Sequence, residues 1–131
     1  MLGRKKLNPN TIECLIGAGT VIHGDVRFRG GLRIDGEVHG SVVAIDGEPS
    51  MLVLSESACV EGEVRAGHLV VNGTIVGPVQ ADELMELQPN AKLRGEVRYR
   101  AIEIQHGAVL EGVMAHLEGG RPDLKLAANN E

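Results

Sequence analysis

Residues 60–64 read Val60-Glu61-Gly62-Glu63-Val64, so two aliphatic residues flank a central glycine and acidic residues occupy the places between them. The same order of aliphatic, any residue, glycine, any residue, aliphatic occurs six times, centred on Gly24, Gly40, Gly62, Gly77, Gly95 and Gly112. The intervals between these glycines are 16, 22, 15, 18 and 17 residues. The long interval contains the turn-rich insertion Asp46-Gly47-Glu48-Pro49-Ser50. The chain therefore repeats a unit of about 17 residues.

Apolar and polar residues alternate within each unit, which is the period of a β-strand and not of a helix. Because equivalent positions recur at a nearly constant interval, we expect each unit to lie in register above the preceding one, as in a parallel β-solenoid. Three aligned columns support this interpretation: Ile16, Leu54, Leu87 and Ile104; Thr20, Ala58, Ala91 and Ala108; and Ile22, Val60, Leu93 and Leu110. The sequence thus predicts an all-β parallel solenoid of about six turns, with the repeated glycine at a corner.

The composition excludes several classes of protein. Glycine accounts for 18 of the 131 residues, whereas the aromatic residues are one Tyr and one Phe, which leaves almost no surface for stacking on bases. The net charge is −5 and the basic residues form no stripe, so nucleic acid is not an expected partner. No apolar run approaches the ~20 residues that span a bilayer, and neither a secretory signal nor a disulfide framework is present. We therefore expect a cytoplasmic protein.

A solenoid has two ends, and each exposes a layer of core side chains and the unpaired edges of its strands. Soluble solenoids usually cover such ends with a helix or a polar turn, but neither terminal segment of this sequence predicts a cap. We therefore expect copies of the chain to stack end to end into a homopolymer. The residues predicted at this interface are Cys14, Ile16 and Ile22 at one end and Val109, Leu110, Val113 and Met114 at the other. The alternative is that both tails fold back and cap a monomer.

Three segments carry a resemblance to a known family: Gly30-Gly-Leu-Arg-Ile-Asp-Gly-Glu-Val-His-Gly40, Val70-Val-Asn-Gly-Thr-Ile75 and Leu87-Gln-Pro-Asn-Ala-Lys-Leu-Arg-Gly-Glu-Val-Arg-Tyr99. They resemble the bactofilins, a bacterial family of polymer-forming cytoskeletal proteins. The resemblance implies a right-handed β-helix at residues 12–116 between flexible tails at residues 1–11 and 117–131. It also implies filaments that form without nucleotide and act as a scaffold in cell shape, cell-wall synthesis or polar organisation, with cell-wall or polarity proteins as partners. It implies neither a catalytic site nor a cofactor.

The first residues, Met1-Leu2-Gly3-Arg4-Lys5-Lys6-Leu7, join a short apolar tip to three adjacent basic residues. This segment is similar to the membrane-targeting tails of many bactofilins. Insertion of Met1 and Leu2, together with contacts from Arg4, Lys5 and Lys6 to anionic lipids, would attach it to the inner face of the cytoplasmic membrane. One tail would bind weakly, but a filament would present many. The alternative is that the basic residues only keep the tail solvated.

Other chemistry has weaker support in the sequence. His23 and His39 occupy matching places in successive turns and should lie about 5 Å apart on an outer face, but no third ligand aligns with them, so no metal site is predicted. Cys14 aligns with core positions and Cys59 with an outward one, and neither is expected to be catalytic. The rival family is the left-handed hexapeptide-repeat acyltransferases, whose strict period of six is not found here. A polysaccharide lyase would need longer turns.

Overall fold

The computed structural model describes residues 12–117. This part of the chain forms sixteen short strands, and every pairing between them is parallel. The strands are β1 (Ile12–Ile16), β2 (Val21–His23), β3 (Val26–Phe28), β4 (Gly30–Ile34), β5 (Glu37–His39), β6 (Val42–Ala44), β7 (Ser50–Leu54), β8 (Cys59–Glu61), β9 (Val64–Val71), β10 (Thr74–Val76), β11 (Val79–Leu87), β12 (Lys92–Arg94), β13 (Val97–Tyr99), β14 (Ile102–Ile104), β15 (Val109–Glu111) and β16 (Met114–His116).

Each turn contributes three strand segments, which stack on those of the next turn to form three faces. Face A contains β1, β4, β7, the second halves of β9 and β11, and β14. Face B contains β2, β5, β8, β10, β12 and β15, and face C contains β3, β6, the first halves of β9 and β11, β13 and β16. Turn one comprises β1 to β3, and turn six comprises β14 to β16. The predicted all-β parallel solenoid of about six turns, with about 17 residues per turn, is confirmed.

The core consists of aliphatic columns that run the length of the solenoid. On face A they are Cys14, Leu32, Leu52, Leu69, Met85 and Ile102, and Ile16, Ile34, Leu54, Val71, Leu87 and Ile104. On faces B and C they are Ile22, Val38, Val60, Ile75, Leu93 and Leu110, and Val26, Val42, Val64, Val79, Val97 and Met114. The members in turns two to five are at most 1% exposed. Each such side chain contributes about 1.5–3 kcal/mol, so these columns stabilise a domain that has almost no aromatic residues.

The corner between faces A and B has two lengths, which explains why the repeat interval varies. It has four residues in turns one, three, five and six, at residues 17–20, 55–58, 88–91 and 105–108. In turns two and four it has only two residues, Asp35-Gly36 and Asn72-Gly73, and the intervals of 16 and 15 residues include these corners. The predicted column of Thr20, Ala58, Ala91 and Ala108 occupies the last place of the four-residue corners. Residues 46–49 of the insertion form an exposed loop between β6 and β7, and Ser50 is the buried first residue of β7.

The corner between faces B and C contains the glycine of the repeated motif in all six turns, with φ between 132° and 156°. These values lie in a region that residues with a Cβ atom rarely adopt. The N–H group of Gly62 donates to the carbonyl oxygen of Val76 in the following turn, with an N···O distance of 2.9 Å. A Cβ atom on Gly62 would overlap the carbonyl group of Gly40 in the preceding turn. The predicted role of these glycines is confirmed, because the backbones of successive turns approach closely at this corner.

We expect the Gly62→Ala substitution to destabilise the fold by about 3 kcal/mol or more, because the methyl group would strain the backbone and push two turns apart. Gly47→Ala is the matched control, since Gly47 also has a positive φ of 85° but an added Cβ atom there would have open space around it. The control should lose only about 1–2 kcal/mol. Thermal unfolding followed by circular dichroism measures both losses, and equal values for the two variants would contradict the close approach at Gly62.

Candidate assembly interface

At the N-terminal end of the solenoid, β1, β2 and β3 pair on one side only, with strands of turn two. The three residues predicted for this end, Cys14, Ile16 and Ile22, all lie in inward columns. Cys14 is exposed, whereas the residues below it in the same column are buried through turn five. Ile22 is half-buried and Ile16 is 8% exposed. The structure thus brings the three predicted residues into one terminal layer.

At the C-terminal end, β14, β15 and β16 pair only with strands of turn five. Leu110 and Met114 lie in inward columns, and Met114 is 41% exposed. Val109 lies in register with Lys92 in an outward row of face B. Val113 precedes β16 at the corner and is 67% exposed. The predicted set therefore divides into two residues of the terminal layer and two residues at its rim.

Both ends contain further apolar residues beyond the predicted set. At the N-terminal end the exposed ones are Ile12, Leu15 and Val21. In turn six, Ile104 is 52% exposed in the column of Ile16, and Ile102 lies in the column of Cys14. Ile104 already belongs to the aligned sequence column of Ile16, so that column could have identified it as a residue of the terminal layer. Leu15 and Val21 lie in outward rows, in register with Arg33 and Glu37. The two ends, layer and rim together, are therefore more apolar than predicted.

Neither end is covered by another strand, or by a helix, within the described residues. Between residues 12 and 117 there is also no helix of the length and apolarity that crossing a bilayer requires. The predicted C-terminal tail lies outside the described residues, except for Leu117. The described residues also do not include the predicted membrane-binding set, Met1, Leu2, Arg4, Lys5 and Lys6.

Face B carries the histidine pair whose proximity on an outer face was predicted from the repeat. The rings of His23 and His39 stack with their centroids 5.0 Å apart. When protonated, His39 donates from Nδ1 to Glu61 at 3.0 Å and from Nε2 to Glu37 at 3.3 Å. The hydrogen bond to Glu61 is the main reason that the pKa of His39 is raised; desolvation opposes the rise and Glu37 adds to it. In the part of the chain that the structure describes, no three His, Cys, Asp or Glu side chains are placed to hold a metal ion. Through these contacts His23, His39 and Glu61 link three successive turns.

The two cysteines lie in different environments. Cys59 lies in the outward row of face B, between Glu37 and Thr74, as predicted. Burial raises the pKa of its thiol, and the carboxylates of Glu61 and Glu37 raise it further. Because the thiolate is the reactive form, Cys59 is a poor nucleophile. Cys14, in contrast, is exposed at the end of the solenoid.

The insertion borders a groove of about 340 Å³ at the corner of faces C and A. The guanidinium group of Arg65 lies there between two carboxylates, with Nη2 3.7 Å from Asp46 and Nε 3.5 Å from Asp82. At its base the Ser50 hydroxyl accepts a hydrogen bond from the N–H group of Gly67 at 2.9 Å. Partly exposed ion pairs of this kind contribute little stability. The main effect of the insertion is therefore on the shape of the lateral surface, where it forms one wall of this groove.

Known proteins share this architecture and its repeat. The family model described as bactofilin, polymer-forming cytoskeletal, matches residues 14–115. Bactofilin BacO of Myxococcus xanthus (strain DK1622) is 27% identical over 109 residues, which are 83% of this chain and 81% of BacO. Bactofilin BacP of the same organism is 26% identical over 114 residues, or 86% of this chain. The chain spans less than half of BacP, namely 46% of its length.

A solved structure shares the fold as well. It is a cryo-EM reconstruction of Thermus thermophilus bactofilin double helical filaments, with a TM-score of 0.69 and 30% sequence identity. The similarity covers 78% of this chain and 99% of that chain. Of the two solenoid families that the repeat suggested, these similarities favour the bactofilins over the hexapeptide-repeat acyltransferases. Because the family model covers nearly the whole solenoid, the chain belongs to the bactofilin family of polymer-forming cytoskeletal proteins.

Proposed function

We propose that copies of this protein stack end to end through their terminal turns and form a filament that serves as a structural scaffold. The observation that carries this proposal is the pair of open apolar layers at the two ends of the solenoid. Each layer combines exposed core side chains with strand edges that have no partner among residues 12–117. A second copy would bury both at once, because its own terminal turn offers strands at the same spacing.

The chemistry of the terminal layers supports a junction made by the protein alone. The inward side chains at the two ends are aliphatic or sulfur-containing and none is charged: Cys14, Ile16, Ile22, Val26, Ile102, Ile104, Leu110 and Met114. Burial of apolar surface favours association without any bound cofactor. We therefore propose that filaments form without nucleotide, and that the role of the protein is structural and not catalytic. The filaments of the Thermus thermophilus relative are double helical, and we propose the same paired form for this chain.

We also propose that the filament attaches to the inner face of the cytoplasmic membrane through residues 1–7. Three basic residues near an anionic surface contribute about 1 kcal/mol each, and the two apolar residues before them add a comparable amount. A single tail with this affinity would detach readily. Along a filament, one tail per copy would recur about every 29 Å, the height of six turns, and many weak contacts would add up to firm attachment. The scaffold would then organise cell shape, cell-wall synthesis or polar proteins at that surface.

We expect Leu110→Arg and Met114→Arg each to give soluble monomers, because an unpaired guanidinium group would be buried at the junction. The expected cost of about 3–5 kcal/mol weakens association by roughly two to four orders of magnitude. Val76→Arg is the matched control, since Val76 is 41% exposed like Met114 but lies on the lateral surface of face B. Sedimentation and negative-stain electron microscopy distinguish the outcomes. Normal filaments from both end variants would refute end-to-end stacking.

We expect assembly to protect Cys14 from maleimide labelling, because stacking would bury the exposed thiol. Labelling of Cys14 should be at least about tenfold slower in filaments than in Leu110→Arg monomers, and mass spectrometry of the labelled peptides measures each rate. Cys59 is the internal control, since it lies on face B and its thiol should react at the same slow rate in both samples. Equal labelling of Cys14 in both samples would place the junction elsewhere.

We expect deletion of residues 1–7 to release filaments from vesicles with anionic lipid and to leave filament length unchanged. Replacing Arg4, Lys5 and Lys6 by Ala tests the electrostatic part alone and should make binding to vesicles insensitive to salt. Co-sedimentation with vesicles measures both effects. Undiminished binding of the deletion variant would refute the membrane role of this segment, and it would leave the stacking proposal untouched.

A further inference from the structure

The outer surface of face A differs from the other two lateral surfaces in its side chains. In turns three to five its outward positions include four apolar residues, which we call the face A patch: Met51, Val53, Val70 and Leu84. Outward positions of face C include Arg27, Arg65 and Arg98. Face B has outward His39, Glu61 and Arg94 in one row. Only face A therefore offers an outward cluster of apolar side chains in the middle of the described solenoid.

The alternation of burial shows which side chains of face A point outward. In β7, Leu52 and Leu54 are fully buried, so Met51 and Val53 between them point away from the core. The same alternation applies to residues 84–87 of β11. In β9 residues 69–71 are all buried, and the register of Val70 with Val53 and Glu86 places its side chain on the outward side. Val70 is 7% exposed although it points outward, because Val53 and Glu86 flank it in the neighbouring turns. The patch is thus flat and partly shielded by its own members, which suits contact with another flat surface and not insertion into lipid.

The polar groups beside the patch make short contacts with one another. His68 lies between Met51 and Leu84 in the register of the sheet, and its Nε2 lies 2.8 Å from a carboxylate oxygen of Glu86. Beside the patch in turn two, Arg33 donates to Asp35 at 2.9 Å. Two facing patches would bring mainly apolar side chains into contact. Face C instead presents charged side chains, with Arg65 between Asp46 and Asp82 and Arg98 near Glu96, and burying charged groups in a contact costs more free energy than burying apolar ones.

We propose that the face A patch is the lateral contact through which two filaments of this protein pair, each patch packing on the patch of a second copy. This rests on the proposed end-to-end filament, and the double helical form of the Thermus thermophilus filaments supports a second strand of copies as the occupant. Two flat β faces pack about 10 Å apart. A contact of one patch with another is isologous and needs no additional partner.

The size of the patch predicts when this pairing occurs. Its four side chains span about 10 Å along the solenoid axis and about 7 Å along the strands, as follows from strand spacing and rise per residue. Stable dimers bury about 1,200–2,000 Å² in total, and an area this small falls well below that range. Isolated monomers should therefore stay unpaired. In a filament the patch recurs once per copy, so the contacts act together and pairing becomes stable.

The test is to introduce a charge into the patch and to measure filament width. We expect Val53→Lys and Leu84→Lys to give single filaments of half the paired width, with the same axial repeat as the parent protein. Val43→Lys is the matched control, because Val43 is a half-buried outward valine of face C, and its filaments should stay paired. Paired filaments in both patch variants would overturn the proposal. If instead the proposed end-to-end stacking is wrong, the parent protein will form no filaments at all, so the two proposals can be refuted separately.

Cross-linking keeps the proposal testable if a lysine variant folds poorly. We expect Val53→Cys in filaments to be joined between copies by a short bis-maleimide, with the linked peptides identified by mass spectrometry, and Val43→Cys to give no such product. Adding Leu110→Arg to Val53→Cys should abolish the cross-link, because monomers do not pair. Absence of the cross-link in filaments would overturn the proposal and would indicate that a terminal segment or another partner covers the patch.

Discussion

Hydrogen bonding between successive parallel turns is the interaction on which the rest of the structure depends. It places every position directly over its equivalent in the turn below, at the ~4.8 Å spacing of strands in a sheet. All residues that occupy the same position in successive turns, here called a column, must therefore satisfy the same steric requirement. Where the backbones approach most closely, as at Gly40 and Gly62, the column is glycine. Where side chains point inward, as at Val60, the column is aliphatic and at most 1% exposed in the central turns. One repeat unit thus determines the local geometry of all six turns.

The same register explains how much of the fold could be predicted. Alternation of apolar and polar residues identifies the inward positions, so the columns that contain Ile16 and Ile22 could be read from the repeat alone. Applied to the last turn, this rule also separates Leu110, which points inward, from Val109, which points outward. Both residues are apolar, so hydrophobicity alone does not separate them. Alternation and not hydrophobicity decides which residues belong to the terminal layer.

Other features could not be predicted because the alternation is hidden or absent. Residues 51–54 and 69–71 are apolar throughout, so inward and outward positions look alike in the sequence. The structure separates them, and the outward members Val53 and Val70 then become visible as part of a lateral surface. The two-residue corner at Asp35-Gly36 was likewise hidden within the drift of the repeat interval. Its length depends on how closely two turns pass at that corner, which is a property of three-dimensional packing.

The direction of the backbone hydrogen bonds has a mechanical consequence. In a parallel solenoid these bonds run along the long axis, so a pull on the axis loads all the bonds between two turns at the same time. Such a load must break many bonds together before one turn separates from the next, whereas a sideways force would open them one after another. Within residues 12–117 every neighbouring pair of turns is joined on all three faces. A filament made of such units would be stiff under tension.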